Sequence, residues 1–591
     1  MKRLRCGALL AFLCAIVTLP LSATTWFVRT DGGTHYSATT HRGQCDGKAD
    51  VAYPGSGSNR HCAVNNFQYL WLNGVYGSSQ WVISGGDTVV IRGCAALPGE
   101  QKSDAPHCRI GIITTDNNSS TSICQGVNAP WGCSPPPIPG GTSTNHTRIL
   151  GGCAYDGNCT PISGPYPYGA INETQLYGGF GTGGVLYLTG SQYVDVEGLE
   201  ITTHNGQCTQ VGAPAYPAGC GSTNDYAKWG IVVGNTTSNI TLQDIYIHGM
   251  TQIAMGGPIG GPFKLNRVSM DFNAFAGWNF DDGHSTPNGL GSSITANNVT
   301  MIGNGCLEEY PIMHKQFPAL SCWDSNSAGF GDSWSGQDTK LDSFICDHCV
   351  MAYNTKDGFI GPHTLIHYLK ITNSKSSGNM GQQWKWGTTP GSTTIFENNL
   401  TIGDCARLSA PMPGAPPGYN RYLSNFCRAA GDVFSFFTGA NSTILLANNT
   451  VVADSNTVFD IGCAPANTCQ STPIDFINNV FLGYRLKGAE APGLIYPNDR
   501  SIKVTAHHNI EYGNRSGYAC SRGDICSDPR LTGEPAQSDW NDQTFLDNFN
   551  FTPQPDSPAV GRGVPVSGIS TDYDGRPRSN PPSIGAVEAH K

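Results

Sequence analysis

The sequence predicts an all-β solenoid, a fold in which short strands stack in successive coils around one elongated core. Two observations lead to this prediction. A short strand-like unit recurs along most of the chain, and no long segment shows the 3.6-residue periodicity of a helix. The 74 glycines among 591 residues also disfavour long helices. Length alone would suggest several domains, whereas the repetition indicates one elongated domain.

The N-terminus has the features of a secretory signal peptide. Within residues 1–23, the basic residues Lys2, Arg3 and Arg5 precede an apolar stretch, and Ala23 is a plausible cleavage point. No other apolar run approaches the ~18 residues that a membrane helix needs. We therefore expect a secreted protein, extracellular or periplasmic, without a membrane span.

The cysteines indicate an exported protein with disulfides, and the net charge limits which molecules it can bind. Most of the 22 cysteines fall into close sequential pairs, such as Cys45 with Cys62, which predicts local disulfides in an exported protein. Cys346 and Cys349 are predicted to form a further disulfide or to be buried thiols. The formal charge of −10 argues against binding to nucleic acid or to anionic membranes. An acidic polymer would need a local basic site or a bridging cation.

The recurring unit has two strand-like parts. The longer part alternates polar and apolar residues, as in NITLQDIYI (239–247), TIFENNLTI (394–402) and TILLANNTVV (443–452). A shorter strand precedes most of these, as in GVLYLTG (183–189), QQWKWG (382–387) and DVFSFFTG (432–439). One such rung cannot bury its apolar face alone, but stacked rungs share a core. The asparagine pairs at 398–399, 448–449 and 478–479 are predicted to stack as ladders at the turns.

This pattern resembles the right-handed parallel β-helix proteins of the pectate-lyase-like superfamily. The resemblance covers about residues 183–515, and FTPQPDSPAVGRG (551–563) resembles the tail that closes many bacterial members. It implies a right-handed parallel β-helix solenoid with a disulfide-rich N-terminal cap and loops. The predicted divisions are a signal peptide (1–23), an N-terminal cap region (24–182), the β-helix (183–515) and a closing tail (516–591).

In such a solenoid, equivalent positions on neighbouring rungs lie ~4.8 Å apart, so residues one rung apart in sequence become neighbours. Asp332 and Asp357 are separated by 25 residues, and Asp357 and Lys385 by 28, which is about one rung in each case. The stacking therefore predicts that one face carries the carboxylates, a histidine and the lysine: Asp281, Asp282, Asp332, Asp357, His363 and Lys385.

Alternation along QQWKWG decides which way Lys385 points. If Trp384 and Trp386 face the core, Lys385 faces outward over a rigid sheet, which suits a general base. If the indoles face outward, they offer planes for sugar stacking and Lys385 is buried, which is costly. We favour the first arrangement. The candidate substrate-binding residues are Trp384, Trp386, Trp334, Arg407 and Arg428.

The segments AGFGDSW, AYNTKDGFIG and GNMGQQWKWG resemble calcium-dependent pectate lyases that use a lysine base. The resemblance implies Ca²⁺ ligands at Asp332 and Asp357 and a base at Lys385. Lys356 stands where that family tends to have a second aspartate, which Asp281 or Asp282 would have to replace. DGFIGPHT is similar to a Gly-Phe-Asp-Pro-His stretch of alginate C5-epimerases, which makes His363 a second acid/base candidate.

The predicted function is cleavage of an acidic, uronate-containing polysaccharide by β-elimination. In that reaction a Ca²⁺ ion held by aspartates would neutralise the uronate carboxylate. We expect a monomer. The alternatives are a uronan C5-epimerase, a glycoside hydrolase on the same fold with its pair of carboxylates, and a noncatalytic glycan-binding or cell-surface β-helix.

Overall fold

The computed structural model describes most of the chain. The described residues are 23–71, 81–93, 109–112, 135–159, 174–178, 182–202, 227–250, 252–271, 273, 276–279, 291–302, 304, 332–335, 339–352, 354, 357–377, 379, 381–403, 432–453, 457–463, 472–483, 493–497, 502–513, 523–533 and 549–589. Within them, regular structure is almost entirely strand. A 3₁₀ turn spans Phe67–Leu70, and a short helix, α1, spans Gly152–Asp156.

The N-terminal strands are β1 Thr25–Gly33, β2 Thr88–Arg92, β3 Arg109–Ile112, β4 Thr147–Gly151, β5 Gln175–Gly178, β6 Gly184–Tyr187, β7 Gln192–Thr202, β8 Trp229–Val232, β9 Ser238–His248 and β10 Ile253–Gly256. The central strands are β11 Pro262–Asp271, β12 Ala276–Asn279, β13 Ser293–Ile302, β14 Asp332–Ser335, β15 Thr339–Asp347, β16 Val350–Ala352, β17 Phe359–Thr372, β18 Lys375–Ser377, β19 Trp384–Glu397 and β20 Leu400–Gly403. The C-terminal strands are β21 Asp432–Thr438, β22 Thr443–Ala447, β23 Thr450–Ala453, β24 Thr457–Cys463, β25 Pro473–Ile477, β26 Val480–Gly483, β27 Gly493–Pro497, β28 Lys503–His507 and β29 Ile510–Tyr512.

Every pairing between these strands is parallel, and each strand pairs with its equivalents on the neighbouring coils. Three faces result. The first, called the site face, contains β6, β8, β10, β12 and β14, then the first residues of β17 and β19, then β21, β24 and β27. The predicted parallel β-helix is confirmed. Its ladder begins at β1, which pairs with β2, well before residue 183.

The second, or middle, face includes β1, β2, β4, β15, β22, β25 and β28, together with the first part of β7, β9, β11 and β13 and the later part of β17 and β19. The third, called the tail face, includes β3, β5, β16, β18, β20, β23, β26 and β29, together with the ends of β7, β9, β11 and β13.

A left-handed residue marks the corner between the middle and tail faces. In β9, for example, Asp244 has φ +52°. It shifts the inward positions from Ile240 and Leu242 to Ile245 and Ile247, all of which are buried in the central core. Asparagine and aspartate adopt this conformation more readily than other non-glycine residues. Equivalent left-handed residues recur at this corner on other rungs: Arg267, Asn298, His348, Asn373, Asn398, Asn448, Asn478 and His508.

The predicted asparagine ladder lies directly after this corner. The backbone N–H of Asn399 donates to Oδ1 of Asn449 at 2.9 Å, that of Asn449 to Asn479 at 2.9 Å, and that of Asn479 to Asn509 at 2.8 Å. All four side chains are buried. The first asparagine of each predicted pair turns the chain, and the second bonds the rungs together.

Among the described residues, two large apolar clusters stabilise the molecule, beside a small one formed by Phe27, Ala63 and Val90. The larger one fills the solenoid between the three faces. The second lies between the tail face and the C-terminal tail, where Leu400, Ile402 and Val480 cluster with Phe551 and Ile584. The tail therefore covers the C-terminal part of the tail face.

Polar side chains are buried further toward the N-terminus of the tail face. The Nε2 atom of His248 lies 2.7 Å from Oε1 of Glu200, and the imidazole ring of His248 stacks on the ring of Tyr246. On the next strand, Asp271 is fully buried and accepts the backbone N–H of Ile302 at 2.8 Å. Burial raises the pKa of the Asp271 carboxyl to about 6, although its hydrogen bonds act in the opposite direction.

Three predicted disulfides lie among the described residues, and each is formed: Cys45–Cys62, Cys153–Cys159 and Cys346–Cys349. Cys346 and Cys349 are both fully buried. Among the described residues, none of the helices is long and apolar enough to cross a membrane.

Candidate functional site

Lys385 is the second residue of β19, on the site face. Trp384 and Trp386, on either side of it, are both fully buried, whereas 24% of the Lys385 side chain is exposed. Alternation along the strand therefore directs the two indoles into the core and the lysine outward, as in the arrangement favoured from the sequence.

Aromatic packing fixes the strand that carries Lys385. The ring of Trp386 stacks between Phe396 and Phe436, with centroid distances of 4.9 and 4.5 Å. The indole N–H of Trp384 donates to Oγ1 of Thr401 at 2.9 Å. Because both neighbours of Lys385 are held in a close-packed core, its backbone position is tightly constrained.

This burial corrects one prediction. Trp384 and Trp386 were candidate substrate-binding residues, but neither ring reaches the surface. Their apolar area is used to stabilise the core, so they act on the site only by fixing β19.

Asp357 lies two residues before the start of β17, one rung from Lys385. The Lys385 Nζ is 3.6 Å from Oδ2 of Asp357, whose side chain is 1% exposed. The other carboxylate oxygen, Oδ1, accepts the backbone N–H of Gln382 at 2.5 Å. The stacking predicted from the 28-residue spacing therefore does bring this acid and this amine together.

A second asparagine ladder, which the sequence analysis missed, leads to the site. The backbone N–H of Asn273 donates to Oδ1 of Asn304, that of Asn304 to Asn354, and that of Asn354 to Asn379, all at 3.0–3.1 Å. Asn379 then donates through Nδ2 to Oε1 of Gln383 at 2.8 Å. Since Gln383 immediately precedes Trp384, the ladder fixes where the strand bearing Lys385 begins.

Two further polar residues lie on the same face in register with Lys385, the buried Ser435 and the half-buried Asp460. Lys385 pairs in register with Ser435 on the next rung, and Ser435 pairs with Asp460 on the rung after it. The inward neighbours of both are buried aromatic or aliphatic residues, such as Phe434 and Ile461. Lys385, Ser435 and Asp460 therefore form a row at ~4.8 Å spacing, which we call the polar row. The same alternation that predicted the direction of Lys385 could have identified it.

The other predicted site residues divide into two groups. The backbones of His363, in β17, and of Asp332 and Trp334, in β14, lie on described strands, but their side chains are outside the description. Asp332 pairs with Ala276, and Trp334 pairs with the buried Trp278. The remaining candidates lie outside the described residues: Asp281, Asp282, Arg407 and Arg428.

The described side chains do not by themselves assemble a calcium site. In this part of the chain, no group of three or more His, Cys, Asp or Glu residues is arranged to hold a metal ion. Asp357, the one predicted ligand with a described side chain, accepts the Gln382 N–H on one oxygen, and the Lys385 Nζ lies 3.6 Å from the other. The calcium site stays a prediction, since its other proposed ligands lie outside the described side chains.

Known structures, rather than known sequences, are similar to this chain. No protein-family model and no curated protein matches the chain. The chain is similar to pectate lyase Pel9A, with 11% identity and a TM-score of 0.41 over 96% of this chain and 98% of that one. It is also similar to an alginate lyase from Paenibacillus sp. str. FPU-7, with 11% identity and a TM-score of 0.32 over 71% of this chain and 93% of that one.

A third similar structure is the A-module of the Azotobacter vinelandii mannuronan C-5 epimerase AlgE6. It has 10% identity and a TM-score of 0.32 over 71% of this chain and 91% of the module. The fold is established by the parallel strand pairing of this chain.

Proposed function

We propose that this chain is an exported polysaccharide lyase that cleaves a uronate-containing glycan by β-elimination, with Lys385 as the general base. The observation that carries the proposal is the partly exposed amine of Lys385, held on a rigid face beside a buried carboxylate. An extended polysaccharide would lie along the site face, parallel to the solenoid axis, and pass over the polar row.

In the proposed reaction, the neutral amine of Lys385 takes the proton on the carbon next to the uronate carboxylate. The electron pair left on that carbon forms a double bond to the neighbouring carbon as the glycosidic C–O bond breaks. Water supplies the proton that the departing sugar oxygen needs, and the proton on Lys385 later returns to solvent. The products are a new nonreducing end that carries an unsaturated uronate and a new reducing end on the sugar that departed.

Calcium is retained as part of the proposal. A bound Ca²⁺ would act as a Lewis acid on the uronate carboxylate. The ligands predicted from the sequence are Asp281, Asp282, Asp332 and Asp357, and the first three are retained in this proposal. Chelation tests this part separately, because a calcium-dependent enzyme loses turnover in EDTA and recovers it when the ion is returned.

The decisive experiment screens uronic-acid polymers for the ultraviolet absorbance of the unsaturated product. With a substrate in hand, Lys385→Ala should lower kcat by about 10²- to 10⁴-fold while the folded structure is kept. Lys264→Ala is the matched control, because Lys264 is an exposed lysine on the middle face, in β11. It should retain wild-type turnover.

The same screen separates the alternatives. Changed uronate composition without unsaturated product indicates an epimerase, and new reducing ends without a double bond indicate a hydrolase. Binding without any product indicates a noncatalytic glycan-binding protein. Wild-type turnover in Lys385→Ala would remove Lys385 from the reaction.

A further inference from the structure

The Asp357 carboxylate is closely held by the backbone of Gly381 and Gln382, which we call the cradle. A Cβ atom added at Gly381 would lie 2.0 Å from Oδ1 and 3.0 Å from Cγ of Asp357. The glycine is therefore required because the carboxylate occupies the space of a side chain. The next residue, Gln382, donates its backbone N–H to the same oxygen.

The cradle belongs to the same short segment as Lys385. Gly381 and Gln382 precede Lys385 by four and three residues, and Gln383, which follows them, is bonded to the second asparagine ladder. The segment thus fixes the carboxylate through Gly381 and Gln382, and the amine through the buried indoles. Both members of the pair are placed by the same stretch of backbone.

Burial makes the pair electrostatically significant. The Asp357 side chain is 1% exposed, so its charge is screened much less than that of a surface carboxylate. When Lys385 accepts a proton, positive charge develops on Nζ, next to Oδ2. A fixed negative group at that place stabilises the charge without having to reorganise.

We propose that Asp357 is a positioning residue for Lys385, which aims its amine and stabilises the ammonium formed when a proton is abstracted, rather than a calcium ligand. This inference rests on the proposed function, because it assigns Asp357 a role through the base. The Gly381–Gln382 cradle is the part of the sequence that makes this role possible.

Two variants perturb the pair in different ways. Asp357→Asn removes the charge but keeps an oxygen that can accept the Gln382 N–H. Gly381→Ala keeps the charge but displaces the carboxylate. Asp357→Asn should lower kcat about 100-fold and leave KM nearly unchanged, since Asp357 does not contact the substrate and stabilises the charge that forms on Nζ during proton transfer. Gly381→Ala should change kcat in the same direction, and excess Ca²⁺ should restore neither variant.

Asp244→Asn is the matched control. Asp244 is another buried carboxylate paired with a cation, 2.6 Å from Arg267, at the corner between the middle and tail faces. Its substitution should lower the thermal midpoint but leave kcat unchanged. Wild-type kcat in both cradle variants would overturn the inference, and so would recovery of Asp357→Asn in excess Ca²⁺.

A measurement without substrate separates this inference from the proposed function. Urea midpoints are compared for Asp357→Asn, Lys385→Met and the double variant. If the two side chains act as a pair, the double variant shifts less than the sum of the single shifts. Additive shifts would overturn the pairing even if the wild-type protein proved to be a lyase. A coupled pair in a protein without lyase activity would overturn only the proposed reaction.

Discussion

Asp271 offers a quantitative test of the burial seen on the tail face. Its carboxyl is fully buried, and burial raises its pKa from 3.8 to about 6. Each pKa unit of difference between the folded and the unfolded chain changes the free energy of unfolding by about 1.36 kcal/mol, so this pKa shift corresponds to about 3 kcal/mol. Because the folded pKa is the higher one, this contribution to stability is fully present below about pH 4 and is lost as the pH rises through 6.

Asp271→Asn should remove this dependence, since the amide oxygen can accept the Ile302 N–H and the amide group does not ionise. Relative to the wild-type protein, the variant should gain up to about 3 kcal/mol of stability between pH 4 and pH 7. His248 pairs in register with Asp271 on β9 and is hydrogen-bonded to Glu200 on β7, and both residues are unchanged in the variant.

The assay is urea unfolding of both proteins at intervals between pH 4 and pH 7. Asp342→Asn is the control, because Asp342 is an exposed aspartate on β15. It should follow the wild-type pH dependence. A constant difference between Asp271→Asn and the wild type over this range would refute the argument, because it would mean that the native carboxyl does not titrate there.

Two other predictions concern stability. Asn449→Ala should lower the free energy of unfolding by about 3 kcal/mol, because it leaves the Asn399 N–H and the Phe396 carbonyl buried without their partner. Urea unfolding measures this loss, and an effect below about 1 kcal/mol would contradict the role of the ladder. Arg578→Ala should release the C-terminal tail, because the buried guanidinium of Arg578 donates hydrogen bonds to Asn398 Oδ1 and to the Gly585 carbonyl. Limited proteolysis should then cleave the variant within residues 549–589. Resistance equal to that of the wild type would contradict this role of Arg578.

The repeated units were sufficient to predict the fold and the direction of Lys385. Both depend on strict alternation within one short strand, and alternation is a local property of the sequence. The asparagine ladder at 399, 449, 479 and 509 was also predictable for the most part, because three of its members stand beside a second asparagine.

Other features could not be predicted, for physical reasons. The second ladder uses single asparagines at uneven spacings, since insertions of different length separate the rungs: Asn273, Asn304, Asn354 and Asn379. The buried polar residues of the tail face were missed because a left-handed residue interrupts each strand. In β9 it moves the inward positions from even to odd numbers, so alternation counted through Asp244 assigns the wrong face.

The register of β19 is the property on which the site depends most. A slip by one residue would expose both tryptophans and bury Lys385 among Phe396 and Phe436. Burying an unpaired ammonium costs several kcal/mol, and exposing two indoles forfeits a comparable amount of apolar burial. The burial of the two indoles and the cost of burying the ammonium therefore disfavour the slipped register, and both also keep the Lys385 amine exposed to solvent. On this face, the sequence that makes the core stable also fixes the side chain proposed for the chemistry.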